Sequence, residues 1–330
     1  MNLLRPEALK HLHPGWFSVV MGLCGLALAW ARAARRMGEA AAVLAMALAA
    51  LAALVFAALL ALSWWRWQRQ PQALAADLAH PVRGAFVAAL PISMMLLASA
   101  GVSLLGQTAG WTAALWWLGS LGQLGATLWM LSRWTLGARA GEWAHITPSL
   151  FLPAVGNVVA PLAGVPLDAG PWVAAQFGIG LLLWVALLAL LMARLALHGV
   201  WTQRLLPLTF ITIAPPALAG LAALQLGWPP QLAWMAWGVA LLFVLWSMNT
   251  LPRILSQPVS ITFWALSFPL TSFASLSMQL AGSDTGVLGA VALLALALAS
   301  LTVGFLALAT VRGLRDGSLL APEQVPLHSA

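Results

Sequence analysis

Charged side chains are scarce along the whole chain. Only 7% of the 330 residues are Asp, Glu, Lys or Arg, whereas 62% are hydrophobic, and the mean hydropathy is +0.93. Soluble domains carry about 25% charged residues, so this composition excludes a soluble globular protein. Uncharged runs long enough to cross a bilayer follow one another along the chain. The composition therefore predicts an all-α integral membrane protein with many spans.

Several residue types that carry chemistry are also rare. Cys24 is the only cysteine, which excludes an intrachain disulfide and a cysteine metal site. The six histidines do not cluster in the sequence, and no Gly-Lys-Ser phosphate-binding loop or legible Ser–His–Asp arrangement occurs. We therefore expect no bound metal, no cofactor and no enzymatic activity. Tyrosine is absent while tryptophan occurs 19 times, and tryptophan often lies at membrane interfaces.

The few charges are distributed unevenly. The net charge is +7, but the basic residues lie in short segments between apolar runs, which indicates membrane topology and not nucleic-acid binding. Twelve Lys and Arg fall on the N-terminal side of the predicted spans and three on the opposite side. This predicts that both termini lie in the cytoplasm; the resemblance described below adds the expectation of a bacterial inner-membrane protein. The three exceptions, Arg32, Arg35 and Arg36, all lie in the predicted first loop, and the sequence does not explain them.

Uncharged runs divide the chain into ten predicted spans, because a membrane helix needs about 20 residues. The runs 84–132 and 205–252 each hold two spans, with turns near 106–110 and 226–230. The other six hold one each: 14–31, 40–65, 146–167, 169–193, 254–283 and 285–311. The predicted division of the chain is a cytoplasmic tail at 1–13, a ten-helix transmembrane channel domain at 14–312 and a second cytoplasmic tail at 313–330.

Prolines occur inside every second span. Pro91, Pro153, Pro215 and Pro269 recur every 54 to 62 residues, one helical hairpin apart, and the first span begins with Pro14. Proline removes a backbone donor and frees a carbonyl, which at membrane depth must be satisfied by protein or by water in a cavity. One such proline would be explained by packing alone. The odd-only placement predicts five helical hairpins, with an inner ring of five kinked odd helices around a pore and an outer ring of five even helices.

The odd spans also hold small polar residues suited to a pore lining. The pore-lining candidates are these residues and the prolines of the same helices: Ser18, Pro91, Ser93, Pro153, Asn157, Thr212, Pro215, Ser267 and Thr271. Asn157 also fits a helix–helix hydrogen bond. Proton-coupled transporters usually carry ionisable residues inside the membrane, and none is predicted there. A charge-free pore with arginines at its cytoplasmic mouth favours weak binding and fast passage of anions.

Four stretches of the odd spans resemble one known family of membrane proteins. They are similar to the tellurite-resistance protein TehA and the plant guard-cell slow anion channel, over roughly residues 12–315, and they read HPGWFSVVMGLCGLALAW, LPISMMLLA, LFLPAVGNVVAPLAG and SITFWALSFPLTSFASLSMQL. The resemblance implies ten helices in five hairpins, odd helices lining a central pore, and a homotrimer with one pore in each subunit. It agrees with the interpretation of the prolines.

The resemblance also implies a gate. The family closes its pore with a phenylalanine on the ninth helix, in a Phe-Pro or Phe-Gly context, and this corresponds here to Phe268 followed by Pro269. Phe268 is therefore the expected pore gate, and Pro269, which the proline pattern had already placed on a pore-lining helix, is the expected hinge of the gate helix. Phe263 and Phe273 are the neighbouring alternatives, five residues to either side.

The predicted function is an anion channel that passes small monovalent anions, such as chloride or nitrate, through a pore occluded by a phenylalanine. One alternative is a coupled transporter or exporter of oxyanions or four-carbon dicarboxylates, such as tellurite, sulfite or malate, because the family includes such proteins. Another is a membrane scaffold or enzyme subunit with an incidental cavity. The expected partners are small anions, the lipid bilayer and further copies of the same chain.

Overall fold

The structure, a computed structural model, describes residues 9–106, 110–136 and 143–320. Within these ranges the chain forms α-helices and 3₁₀-helices and no β-strand, so the prediction of an all-α protein is confirmed. We number ten helical segments in this part of the chain, several of which join 3₁₀ and α portions. They are α1 Pro14–Met37, α2 Glu39–Arg69, α3 Pro81–Leu105, α4 Gly110–Leu136, α5 Pro148–Gly164, α6 Trp172–His198, α7 Gln203–Gln225, α8 Pro230–Met248, α9 Ile261–Ala281 and α10 Val287–Asp316.

Eight helices in the described ranges are long and apolar enough to cross a membrane. The two numbered segments outside this set are α4 and α5. The 27 residues of α4 include several glycines and Gln123, which dilute its hydropathy. The segment α5 is shorter than the others, and its residues from Phe151 to Gly164 are all buried. A helix that is covered by protein on every side need not be as long or as apolar as one that contacts lipid.

Odd and even helices differ in burial. In the most apolar window of each helix, 78% of residues are buried in α1 and in α3, 89% in α7 and 94% in α9. The corresponding shares are 22% in α2 and in α6, 28% in α8 and 33% in α10. Large apolar side chains on the even helices are exposed, including Leu54, Leu182, Leu242 and Leu301. Exposed apolar surface of this extent marks a binding or membrane surface.

The odd helices contact one another in a closed cycle. α1 packs on α3, α3 on α5, α5 on α7, α7 on α9, and α9 packs on α1 again. Each odd helix also packs on the even helix that follows it in the chain. The α7–α8 turn lies between Gln225 and Pro230, as predicted. The other predicted turn, near 106–110, is flanked by Leu105 and Gly110, and residues 107–109 lie outside the described ranges.

The prolines of the odd helices lie where the helix changes between 3₁₀ and α geometry. Each odd helix contains a 3₁₀ segment, whereas α2, α6, α8 and α10 are α-helical throughout. In four odd helices a proline lies in the first turn of the α-helix that follows the 3₁₀ segment: Pro91 in α3, Pro153 in α5, Pro215 in α7 and Pro269 in α9. The backbone continues from the 3₁₀ segment into the α-helix, and proline has no N–H to donate to the preceding turn. The prolines mark the points where α-helix restarts.

The first connection is shorter than the sequence suggested. α1 continues through Arg32, Arg35 and Arg36 to Met37, and only Gly38, with φ of 75°, separates it from α2. These arginines therefore lie on the last turns of a helix and not in a loop. The connection between α2 and α3 contains a further short helix, Pro71–Ala79. Of the predicted tails, residues 1–8 and 321–330 lie outside the described ranges.

Candidate functional site

A cavity of about 50 Å³ lies among the five odd helices, and each of them contributes to its wall. No charged side chain is among the lining residues. They are Ser18 and Met21 of α1; Phe86 and Ile92 of α3; Phe151, Leu152, Val155, Gly156, Val158 and Val159 of α5; Ile211, Ala214, Pro215 and Leu218 of α7; and Trp264, Ala265, Phe268 and Pro269 of α9.

The cavity wall offers almost no polar group to a ligand. The Ser18 hydroxyl donates to the Gly15 carbonyl in its own helix. The Trp264 indole N–H donates to Thr310 Oγ1 on α10, at 2.9 Å, and so points away from the cavity. Moving an ion into an apolar space without compensating contacts costs many kcal/mol. In this conformation the cavity therefore does not replace the hydration shell of an ion.

Phe268 lies at the α9 side of this cavity, next to Pro269, and is 7% exposed. Its carbonyl oxygen accepts hydrogen bonds from Thr271 Oγ1 at 2.9 Å and from Ser272 Oγ at 2.8 Å. A Cβ atom added to Gly25 of α1 would lie 3.1 Å from Phe268 Cδ2. The aromatic ring thus fills space between α1 and the cavity, and two hydroxyls hold its backbone.

Four of the predicted site residues line the cavity together, namely Ser18, Pro215, Phe268 and Pro269. The others make contacts elsewhere. Ser93 Oγ donates to the carbonyls of Ala89 and Phe17, which joins α3 to α1. Thr212 Oγ1 donates to Thr209 O within α7. Pro91 lies against Gly119 and Gly122 of α4.

Ser267 and Thr271 face α1 and are not among the cavity-lining residues. A Cβ atom on Gly22 would lie 2.3 Å from Ser267 Oγ, and one on Gly25 would lie 2.2 Å from Thr271 Oγ1. Such distances are far below van der Waals contact. The two glycines therefore allow α9 to approach α1 closely.

Asn157 and Pro153 belong to a buried polar network behind the cavity wall. Asn157 Nδ2 donates to Thr127 Oγ1 of α4 at 2.9 Å, and its Oδ1 accepts from Gln176 Nε2 of α6 at 3.0 Å. Thr127 Oγ1 and Gln123 Nε2 donate to the Pro153 carbonyl at 2.6 and 3.1 Å. Side chains from α4 thus satisfy carbonyls that the irregular α5 leaves free. The structure shows the helix–helix hydrogen-bond role for Asn157.

The fold and the cavity can now be compared with known proteins. A family model described as SLAC1, voltage-dependent anion channel, matches residues 11–311. The chain belongs to the SLAC1 family. This SLAC1-family chain is 28% identical to a "tellurite resistance protein TehA homolog" of Haemophilus influenzae, over 96% of this chain and 94% of the relative. The family resemblance inferred from the odd spans is thereby confirmed.

Two eukaryotic relatives extend the comparison. The "S-type anion channel SLAH2" of Arabidopsis thaliana is 25% identical over 66% of this chain and 41% of the relative. The "sulfite efflux pump SSU1" of Arthroderma otae is 22% identical over 83% of this chain and 82% of the relative. The SLAC1-family chain is thus similar both to a protein named as a channel and to one named as a pump.

Most cavity-lining residues of the SLAC1-family protein were not predicted from the sequence. Phe86, Phe151 and Trp264 are large apolar residues that line the cavity, and the sequence analysis did not single them out. Nothing in their residue type separates a cavity wall from a packed interior. Their position on odd spans was the available signal, and they share it with many other apolar residues.

A second polar cluster in the SLAC1-family protein lies where α1 and α3 begin. Asp77 forms ion pairs with Arg66 at 2.5 Å and with Arg83 at 2.7 Å. His13 Nδ1 accepts from the Gly15 N–H at 3.1 Å. His80 Nδ1 accepts from the N–H groups of Val82 and Arg83 at 3.2 Å. The two histidines therefore cap the N-terminal ends of two odd helices.

Both histidine caps require a neutral imidazole. Burial, followed by the charges of Arg83 and Arg66, lowers the pKa of His13 to about 3. Burial, followed by Arg83, lowers the pKa of His80 to about 4, and Asp77 opposes the shift. A neutral imidazole keeps the Nδ1 lone pair that accepts the backbone N–H. Among residues 9–106, 110–136 and 143–320, no group of three His, Cys, Asp or Glu side chains is suited to holding a metal ion.

Proposed function

We propose that this protein is an anion channel that passes small monovalent anions, such as chloride or nitrate, along the axis of the cavity. The observation that carries the proposal is that all five odd helices line one cavity, without a charged side chain, and that Phe268 is part of its wall. Membership of a family of anion channels supports the same reading.

Phe268 is the proposed gate. The cavity around it is small and apolar, so a hydrated anion does not fit, and a dehydrated one finds no compensating donor. Passage requires the ring to leave the axis. Pro269 follows directly and stands in the first turn of the α-helix, where the 3₁₀ segment Ile261–Leu266 ends. A junction between two helix types is a natural place for a hinge.

Replacing Phe268 with alanine tests the gate. We expect Phe268→Ala to raise the anion current through purified protein in planar bilayers severalfold, because truncation removes the ring and enlarges the cavity. The reversal potential should follow the imposed anion gradient. Currents equal to those of the wild type, with protein of normal stability, would contradict the assignment.

Phe273→Ala is the matched control. Phe273 lies on the same helix, is equally buried, and stacks on Trp237 of α8 with centroids 5.8 Å apart. It is not among the cavity-lining residues. We expect this variant to lose stability without gaining current. A rise in current for both variants would indicate general loosening of the helices and not the removal of a gate.

The alternative proposal is a coupled exporter of oxyanions or dicarboxylates, such as tellurite, sulfite or malate. Similarity to a tellurite resistance protein homolog and to a sulfite efflux pump favours it. Against it stands the cavity lining, which contains no ionisable side chain that would carry a proton. A reversal potential that follows a proton gradient, at constant anion gradient, would favour the exporter over the channel.

We further propose that all ten segments cross the bacterial inner membrane as five hairpins, with the odd helices inside the even ones and both termini in the cytoplasm. The cycle of odd-helix contacts and the contrast in burial support this arrangement.

We also propose a homotrimer with one pore in each subunit, which the family resemblance implies. A solubilised particle with the mass of a single subunit, measured by light scattering, would contradict the trimer.

A further inference from the structure

Three arginines occupy the end of α1 that lies opposite its N-terminus. Arg35 connects α1 to α9, and Arg36 connects α1 to the segment between α9 and α10. Arg35 Nη2 donates to Gln279 Oε1, and Arg36 Nη1 donates to the Asp284 carbonyl at 2.7 Å. Both lie in the last turn of α1, where a cation also interacts favourably with the helix dipole. These hydrogen bonds and the helix dipole explain why Arg35 and Arg36 lie at the end of α1.

Arg32 has no such role. Its hydrogen bond runs from Nη1 to the carbonyl of Leu28, one turn back in its own helix, at 3.0 Å. It forms no ion pair within the described ranges. The nearby Asp284 carboxylate is engaged by the N–H groups of Gly286 and Gly289 at 3.1 and 3.2 Å. Arg32 also precedes the last turn of α1, so it does not cap the helix end.

The helical register places Arg32 on the cavity side of α1. Ser18 and Met21 line the cavity, and Gly25 lies beside the Phe268 ring. At about 100° per residue, Arg32 falls within about 40° of each of these three positions around the helix axis. At a rise of about 1.5 Å per residue it lies about 10 Å beyond Gly25. Arg32 is therefore on the same face of α1 as the cavity-lining residues, nearer to the C-terminal end of the helix.

The guanidinium of Arg32 has N–H groups that do not donate to the protein in the described ranges. Nε and Nη2 have no protein partner in the described ranges, and neither is among the buried, unpartnered atoms, so neither nitrogen is completely covered by protein. The side chain as a whole is half-buried. Two neighbouring N–H groups in one plane match two oxygens of a planar oxyanion, and partial burial strengthens such a contact.

We propose that Arg32 is an anion-binding residue at the mouth of the pore opposite the N-terminus, and that it takes planar oxyanions, nitrate or a carboxylate, on its Nε and Nη2 edge. The inference rests on the proposed channel function. It also gives a reason for one of the three arginines that break the positive-inside pattern of the sequence.

The test uses the Phe268→Ala protein, in which conduction does not depend on gating. We expect Phe268→Ala/Arg32→Gln to carry severalfold less nitrate current than Phe268→Ala when low nitrate is supplied from the side of the α1 C-terminus. The difference should vanish at molar salt, where charges are screened over about 3 Å.

Arg32→Lys should retain the attraction for anions at low salt but lose selectivity for nitrate over chloride. Arg312→Gln, an exposed position on α10, removes the same net charge and should have no effect.

A second measurement does not require conduction. When nitrate replaces fluoride at constant ionic strength, the unfolding temperature of the wild type should rise relative to that of Arg32→Gln, because a bound ligand stabilises the folded state whereas general salt effects act on both proteins equally. Equal nitrate currents at low salt for the proteins with and without Arg32, together with equal thermal shifts, would overturn the inference. If Phe268→Ala carries no current at all, the channel proposal fails, and the thermal shift still decides whether Arg32 binds the anion.

Discussion

At the scale of single residues, Gly25 decides how closely α9 approaches α1 beside the proposed gate. An added Cβ atom would lie 2.2 Å from Thr271 Oγ1 and 3.1 Å from Phe268 Cδ2. The space that a side chain would occupy at Gly25 is thus filled by Thr271 and the Phe268 ring. The two residues and the glycine form one packing unit.

We expect Gly25→Ala to destabilise the protein by about 1–3 kcal/mol, the usual cost of overpacking a filled site. Thr271→Ala removes the hydroxyl that clashes, so Gly25→Ala/Thr271→Ala should recover most of the lost stability. Thermal unfolding of the purified proteins in detergent measures both effects. Independent, additive losses for the two substitutions would show that the residues are not coupled.

Gly125 of α4 provides the control for this experiment. It is also a helical glycine, but an added Cβ atom would meet no atom within 4 Å. Alanine is favoured over glycine within helices by up to about 1 kcal/mol. Gly125→Ala should therefore leave the unfolding temperature unchanged or raise it. A loss equal to that of Gly25→Ala would mean that contact with Thr271 is not the cause.

Some of the residues that line the cavity were predicted from the sequence. Phe268 was selected by resemblance, Pro215 and Pro269 by the backbone effect of proline on odd helices, and Ser18 by its polarity. All four line the cavity. Ser267 and Thr271, chosen by the same polarity argument, face α1. A hydroxyl at membrane depth satisfies its own helix backbone as readily as it lines a water path, and residue type does not separate these uses.

At the scale of helices, His13 and His80 make the beginnings of α1 and α3 sensitive to pH. Each stands directly before a proline and accepts backbone N–H groups through Nδ1. The folded pKa values, about 3 for His13 and about 4 for His80, lie below the ordinary value of 6.5. Between these values the unfolded chain binds protons that the folded chain does not. Stability therefore falls as pH decreases from about 6.5.

We expect the unfolding temperature to be level above neutral pH and to drop by several degrees between pH 7 and pH 4. His13→Asn/His80→Asn should flatten this dependence, because asparagine caps a helix without titrating in that range. Thermal unfolding at a series of pH values provides the comparison. An unchanged pH profile in the double variant would show that the two histidines are not the source of the acid sensitivity.

Tryptophan joins helices to one another in this protein. The sequence suggested that some tryptophans lie at the membrane interface and that others pack between helices, and several indole N–H groups connect one helix to another. Trp30 donates to Ser300, Trp116 to the Ala160 carbonyl, Trp172 to Ser120, Trp237 to Ser277 and Trp264 to Thr310. Buried indoles usually find such partners. A single sequence does not reveal which hydroxyl on another helix will lie within reach.

At the scale of the whole molecule, α4 and α5 decide the number of spans. The other eight helices satisfy the length and hydropathy of a membrane helix. If α4 and α5 also cross, the connection between them lies on the N-terminal side. If neither crosses, it lies on the opposite side, together with the connections that flank them.

Reporter fusions distinguish the two topologies. We expect alkaline phosphatase, which is active only outside the cytoplasm, to be active when inserted at Gly106 or Gly170 and inactive when inserted after Leu136. A green fluorescent protein at the C-terminus should fluoresce, because an even number of spans returns the chain to the cytoplasm. Phosphatase activity at all three internal sites would reduce the protein to eight spans.

The sequence by itself determined the class of protein, the positions of most helices and the distinction between odd and even spans. These follow from hydropathy and from the distribution of proline, which act locally along the chain. Only the tertiary structure decided which faces meet. It placed Thr271 against Gly25 and Asn157 between Thr127 and Gln176, and it extended α1 as far as Arg32 and beyond. The physical reason is that pairing between helices depends on shape and hydrogen-bond partners distant in sequence, which periodicity does not encode.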